Sequence, residues 1–156
     1  MADIVLDTCT LVHANDENSE HQESSIELIT SMLGNDLNVA VDEGFDMIDS
    51  NNSSYIGLEY TKHLIPGMLG FSLIQTLAIN GRFNFVPNKV IQGTKKYIDR
   101  IIKNKKDRHF LRVAFNSDDK LLISHDFTDY QVAKRKSIKK DIKVIILTAT
   151  EINISL

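Results

Sequence analysis

Four carboxylates far apart in the chain have the residue types and settings to share one cation: Asp7, Glu59, Asp107 and Asp126, with Asp129 three residues beyond the last. Asp7 ends the apolar run Ile4-Val5-Leu6, and Asp126 follows the run Leu121-Leu122-Ile123-Ser124. Asp107 opens one helical stretch, Asp107–Phe115, and Glu59 lies inside another, Ser54–His63. Carboxylates gathered in one place repel one another and cost stability unless a cation neutralises them. Oxygen ligands of this kind suit Mg²⁺ or Mn²⁺. An ion so held lowers the pKa of a bound water and clamps a scissile phosphate. The chemistry expected is therefore phosphodiester hydrolysis by an activated water, with no covalent enzyme intermediate. Each acid alone has a plainer reading: a strand-end turn for Asp7, a helix cap for Asp107, an Asx turn for Asp126, and a surface pair with Lys62 or His63 for Glu59.

The elements that must position these acids follow from pattern. Asp3–Asp7 reads as a short strand, and Leu37–Val41, Arg82–Val86, Leu121–Ser124 and Val144–Leu147 read as others. Ser24–Leu33 reads as a helix because Ile26, Leu28, Ile29, Met32 and Leu33 recur at helical spacing, and Gly34-Asn35-Asp36 stops it. Ser54 caps the helix carrying Glu59, and Ile65-Pro66-Gly67 ends that helix. Further helices are expected over Gly70–Asn80, Thr94–Ile102, Asp107–Phe115 and Tyr130–Lys140, with Lys103–Lys106 as a link. Strands alternating with helices predict an α/β fold, a three-layer α/β/α sandwich around a mainly parallel sheet. In such a sheet ligands gather beyond the C-terminal ends of the strands, where Asp7 and Asp126 would sit.

A length of 156 residues fits one domain spanning 1–156. The N-terminus carries acids within its apolar stretch and no basic leader, no run approaches a membrane span, and Cys9 is the lone cysteine, so a cytoplasmic protein without a disulfide is expected. Cys9 reads as a small buried side chain rather than a nucleophile. The net charge of −3 conceals a division. Residues 1–60 hold 13 acids and no Lys or Arg, whereas residues 61–156 hold all 18 basic residues and 8 acids. Basic residues cluster between Lys89 and Arg112 and between Lys134 and Lys143. Basic surfaces beside an acidic centre suit a polyanion held over a metal pocket; solvated helix faces are the alternative.

Three segments resemble the PIN domain ribonucleases. Ile4-Val5-Leu6-Asp7-Thr8-Cys9-Thr10-Leu11 is similar to that family's opening strand, acid and hydroxyl residue; Asp107-Arg-His-Phe-Leu-Arg-Val-Ala114 is similar to its acid-led helix; Asp119 through Tyr130, with Ser124-His125-Asp126-Phe127-Thr128-Asp129, is similar to its third acidic signature. The resemblance implies metal ligands at Asp7, Asp107 and Asp126, with Asp129 as an accessory. It also implies a fourth acid on an intervening helix. Glu59 is the choice here and Glu43, after the second strand, the competitor. Thr8 would orient Asp7 or touch phosphate. By the same resemblance the chain would be a Mg²⁺- or Mn²⁺-dependent endoribonuclease acting on single-stranded RNA, with DNA the other substrate. Many relatives in that family are toxins of bacterial toxin–antitoxin pairs, which implies an inhibitory protein partner and a homodimer. Residues 40–106 depart from the compact toxin pattern.

Arg108 and Arg112, four apart on one helical face, and Lys103, Lys105 and Lys106 beside them are candidate phosphate contacts, with a solvated or salt-bridged face the plainer reading. His109 and His125 adjoin the acids as weaker candidates for ligands or proton donors. Phe127 is expected to pack and Tyr130 to flank the site. No glycine-rich phosphate loop is present. A catalytically inactive PIN-fold module that binds nucleic acid or protein is one competing reading. A phosphotransfer domain acting through Asp7 is another, disfavoured because Cys9 stands where a second aspartate would be needed.

Overall fold

Short runs of aliphatic and β-branched residues become five strands of one parallel sheet in a computed structural model that describes residues 2–156. The strands are β1 (Asp3–Leu6), β2 (Asn38–Asp42), β3 (Phe83–Val86), β4 (Leu121–Ile123) and β5 (Ile145–Leu147), in the order β3-β2-β1-β4-β5. Central β1 and β4 are buried along their whole length, which explains the apolar runs Ile4-Val5-Leu6 and Leu121-Leu122-Ile123. The covering helices are α1 (Thr8–Val12), α2 (Gln22–Gly34), α3 (Tyr55–His63), α4 (Leu69–Ile79), α5 (Gln92–Ile101), α6 (Lys105–Asn116), α7 (Val132–Ile142) and α8 (Ala149–Asn153). Helix α6 lies across β1, β2 and β4 with α3 and α5 against it, while α2 packs with α4 and α8. The result is the α/β/α sandwich expected from the alternation of strands and helices. No helix among the described residues is long and apolar enough to cross a membrane.

From β1 the chain builds outward through β2 and β3, then returns across the sheet to add β4 and β5 on the other side. The reversal falls between β1 and β4, and a crevice opens above their C-terminal ends. Those two strands are tied at both ends. Near the start of β1 the Asp3 carboxylate accepts from the backbone N–H of Asp119 at 3.2 Å, while the Asp119 carboxylate accepts from that of Asp3 at 2.9 Å. Past the other end the Asp7 N–H donates to the Ile123 carbonyl at 2.9 Å.

Several boundaries differ from the pattern reading, each for a local reason. Helix α6 begins at Lys105 because the Asn104 side chain accepts from the Lys106 N–H at 3.0 Å and caps it. Asp107 is therefore inside the first turn rather than at the cap. Helix α7 begins at Val132, because Asp126–Tyr130 is held as a turn. Two five-residue helices were not anticipated, α1 directly after Asp7 and α8, whose Thr148 and Glu151 form a capping box. Ser54 caps α3 as expected, accepting from Gly57 N–H at 2.8 Å. Behind it sits an unforeseen contributor: the buried Asp42 carboxylate accepts from the N–H groups of Tyr55 at 2.7 Å and Ile56 at 3.0 Å and from the Ser54 hydroxyl. The acid ending β2 thereby fixes the helix that carries Glu59.

Candidate metal centre

Asp7, Asp107 and Asp126 meet at the crevice between β1 and β4, each with a carboxylate oxygen within 4.8 Å of the other two. Asp7 arrives from the end of β1, Asp126 from the turn after β4, and Asp107 from the first turn of α6. The cleft has a volume of about 310 Å³ and is also lined by Thr8, Cys9, His13, Glu59, His63 and Asn104. Glu59 stands on its wall, with Lys106 Nζ 3.7 Å from one carboxylate oxygen and His63 Nε2 3.5 Å from the other. Glu43, its competitor, is exposed and does not line the cleft.

One serine organises the centre. Ser124, fully buried, donates its hydroxyl to Asp7 Oδ2 at 2.6 Å and accepts from the Asp126 N–H at 3.1 Å. Asp126 turns one oxygen back onto the N–H groups of Thr128, at 2.9 Å, and Asp129, at 3.0 Å. This Asx turn leaves its second oxygen for the cleft. Arg135 clasps the same turn from behind, donating to the carbonyls of Tyr130 at 2.6 Å, Ser124 at 3.0 Å and Asp126 at 3.2 Å. Tyr130 is wholly buried beneath the centre, where its hydroxyl donates to the Asp107 carbonyl at 2.9 Å, so it supports the site instead of flanking it. Tyr60 donates likewise to the Leu6 carbonyl at 2.6 Å, holding the end of β1.

The electrostatics are those of an acidic group awaiting positive charge. Burial pushes the Asp7 carboxyl up to about 6, against the Ser124 hydrogen bond, with Asp126 adding to the rise. Asp107 is pushed up to about 9, first by burial, then by a hydrogen bond with Asp129 and by the charges of Asp7, Asp129 and Asp126. No basic side chain lies within 4 Å of these four carboxylates among the described residues. Asp107 Oδ2 and Thr8 Oγ1 are buried with no hydrogen-bond partner. Buried polar atoms rarely stay unpartnered. Hard oxygen donors, like charges in close contact and orphaned atoms together fit Mg²⁺ or Mn²⁺ held by Asp7, Asp107 and Asp126, with Asp129 behind Asp107.

Comparison of the chain with protein families, with curated proteins and with solved structures returns no match.

Other candidates separate from the centre. Arg108 donates to the carbonyls of Ile102 at 2.6 Å and Asp99 at 2.9 Å, and Arg112 pairs with Asp99 at 2.8 Å. Both are spent joining α6 to α5, as the salt-bridged reading of that face had it, and neither lines the cleft. Lys106 turns to Glu59, whereas Lys103 and Lys105 are exposed outside the cleft. His109 stacks on Tyr55 with ring centroids 4.0 Å apart and leaves the acids alone. His125 clusters with His13 and His21, the three ring centroids forming a triangle with sides of 5.2, 4.1 and 5.4 Å. Its Nε2 accepts from the Ala149 N–H at 3.0 Å, so the ring proton sits on Nδ1, 3.0 Å from His13 Nδ1. Burial lowers the His125 pKa to about 3, which keeps that ring neutral, and the Ala149 bond ties the residue before Asp126 to α8. Burial and the Asp7 charge push the Cys9 thiol up, which disfavours a nucleophilic thiolate.

Ser124, Asp42 and Arg135 were not singled out by sequence reasoning. Ser124 carried a legible signal, a hydroxyl residue two positions before Asp126 at a strand end.

Proposed function

We propose that this protein is a Mg²⁺- or Mn²⁺-dependent endonuclease, PIN-like in its site, that hydrolyses phosphodiester bonds of single-stranded RNA. The observation that carries the reading is the convergence of Asp7, Asp107 and Asp126 at the sheet's switch point with no basic counter-ion among the described residues. A bound divalent ion supplies charge neutralisation, an activated water and a clamp on the scissile phosphate. Asp7, Asp107 and Asp126 are the residues to hold it. Ser124 sets the spacing of Asp7 and Asp126 by bonding both. Asp129, whose charge bears on Asp107, would serve as the accessory acid of the centre. Glu59, held by Lys106 and His63 on the wall of the cleft, would orient the attacking water. The Thr8 hydroxyl, free of protein partners, is available to a phosphate oxygen. RNA over DNA, a toxin's role, an inhibitory partner and a homodimer are carried by the sequence resemblance to PIN ribonucleases, and a cytoplasmic setting by the lone Cys9.

The test is cleavage of end-labelled single-stranded RNA and DNA by the wild type and by Asp107→Asn, in Mn²⁺, Mg²⁺ or EDTA. Metal-dependent cutting that falls about 100-fold or more in the folded variant is expected. Equal cutting by both proteins would refute the assignment. Binding without cutting in any metal would point to an inactive nucleic-acid-binding module.

A further inference from the structure

Beside the acidic cleft runs a second, larger depression of about 570 Å³ between α5 and α7, lined by Tyr97, Arg100, Ile101, Lys103, Lys134 and Ser137 among others. The linings of the two depressions meet at chain neighbours. Lys103 belongs to the groove, and the next residue, Asn104, lines the cleft. On the opposite side Gln131 belongs to the groove and directly follows Tyr130, whose hydroxyl holds the Asp107 carbonyl. Arg100, Lys103 and Lys134 have no acidic partner within 4 Å among the described residues. The groove's acid, Asp141, is occupied by the Tyr97 hydroxyl, which donates to it at 2.7 Å. Burial and that bond push the Tyr97 pKa up to about 12, so the hydroxyl keeps its proton. Arg100 lies over the Tyr97 ring, 5.5 Å from its centroid.

Three cations free of counter-ions, leading into a negatively charged cleft, need a reason to be gathered on that side. A phosphodiester backbone supplies one: its phosphates neutralise the cations in the groove, while one phosphate reaches the acids through the bound metal. We infer that the α5–α7 groove is the track for the single-stranded nucleic acid flanking the scissile bond, with Arg100, Lys103 and Lys134 as backbone contacts and no base readout. The inference rests on the nuclease reading for its direction, since the strand is taken to continue from groove to cleft. It replaces Arg108 and Arg112, which the fold consumes, with residues left free. Contacts to the backbone alone predict binding with little sequence preference and a steep dependence on salt.

The experiment measures binding of a fluorescein-labelled 16-nucleotide single strand, as RNA and as DNA, by anisotropy in EDTA across a salt series. Four proteins are compared: the wild type, the triple variant Arg100→Ala/Lys103→Ala/Lys134→Ala, the single variant Lys103→Glu, and a charge-matched control, Lys139→Ala/Lys140→Ala/Lys143→Ala, on a separate patch at the end of α7. With about 0.7 in log–log salt slope per phosphate contact on a single strand, the groove triple variant should show a slope shallower by about 2 and bind about 100-fold more weakly at 0.1 M salt. Lys103→Glu should weaken binding about tenfold, and the control should stay within about threefold of wild type. Equal weakening in both triple variants would mean diffuse charge attraction and overturn the inference. So would undiminished binding by the groove variants, or tighter binding of poly-glutamate than of the oligonucleotide, which would give the groove to an acidic protein. Because binding is read without metal, a groove effect in a protein that never cuts would retain the track and remove the nuclease.

Discussion

Asp7→Asn should make the metal-free protein more stable while disabling it. The carboxyl is buried and its pKa raised from the ordinary 3.8 to about 6, with burial the main cause. The folded state therefore binds this proton more tightly than the unfolded chain does. Below about pH 4 both states are protonated and Asp7 costs nothing. Between about pH 4 and pH 6 the unfolded chain ionises first, and stability falls as pH rises. Above pH 6 the cost is constant. Each tenfold in a proton equilibrium is about 1.4 kcal/mol, so holding Asp7 ionised at pH 7.5 costs about 3 kcal/mol, and about half of that at pH 5. Asparagine keeps the shape, and its side-chain oxygen still accepts from Ser124, but it never ionises. In a chain of this size about 3 kcal/mol corresponds to a Tm roughly 6–12 °C higher. Thermal unfolding followed by circular dichroism in EDTA, from pH 4 to 8.5, checks this. The variant's advantage should be near zero at pH 4 and reach its plateau above pH 6.5. Millimolar Mn²⁺ should then raise the wild-type Tm more than the variant's and shrink the gap. A variant that melts at or below the wild type at pH 7.5 in EDTA, or a pH-independent gap, would refute the burial argument and with it the reason for expecting a cation.

Two further outcomes follow from the supporting contacts. Ser124→Ala strips a donor from Asp7 and an acceptor from the Asp126 N–H, so it should cost about 1–3 kcal/mol in urea unfolding and, as the loss of a group that orients ligands, weaken Mn²⁺ binding about 10- to 100-fold by calorimetric titration. Asp42→Ala leaves the N-terminus of α3 short of acceptors and should cost about 2–3 kcal/mol, whereas Asp42→Asn should recover part of that in the same urea titration.

Much of the frame was readable because its signals are local. Uninterrupted apolar runs marked β1 and β4 as buried strands, and Ser54 and Gly34 marked helix ends where the helices do start and stop. The three convergent aspartates were readable because strand ends and an acid-led helix fall on one rim in a parallel sheet. What escaped was settled by tertiary contacts. Thr-Cys-Thr-Leu-Val of α1 has little helical character, and the burial of Thr8, Thr10 and Leu11 accompanies its single turn. Asp42 drew no reading of its own, since nothing in its neighbourhood announces a helix N-terminus a dozen residues on. Arg108 and Arg112 shared a helical face as expected, yet only the packing of α5 on α6 discloses that Asp99 and nearby carbonyls claim them. A charge count cannot separate cations consumed by the fold from those left for a ligand.

The order in which the centre's parts are synthesised differs from their arrangement in space. Asp7 directly follows β1, yet its fixing groups, Ser124 and the Ile123 carbonyl, come from β4 and its edge, translated more than a hundred residues later. Until β4 enters beside β1 the acids have no shared crevice, and a growing chain displays isolated carboxylates with ordinary affinities. Pairing across so long a separation carries a loop-closure cost, which makes it a late and slow event in folding. The cation site proposed for these acids would thus be absent from the growing chain and arise only with the finished sheet.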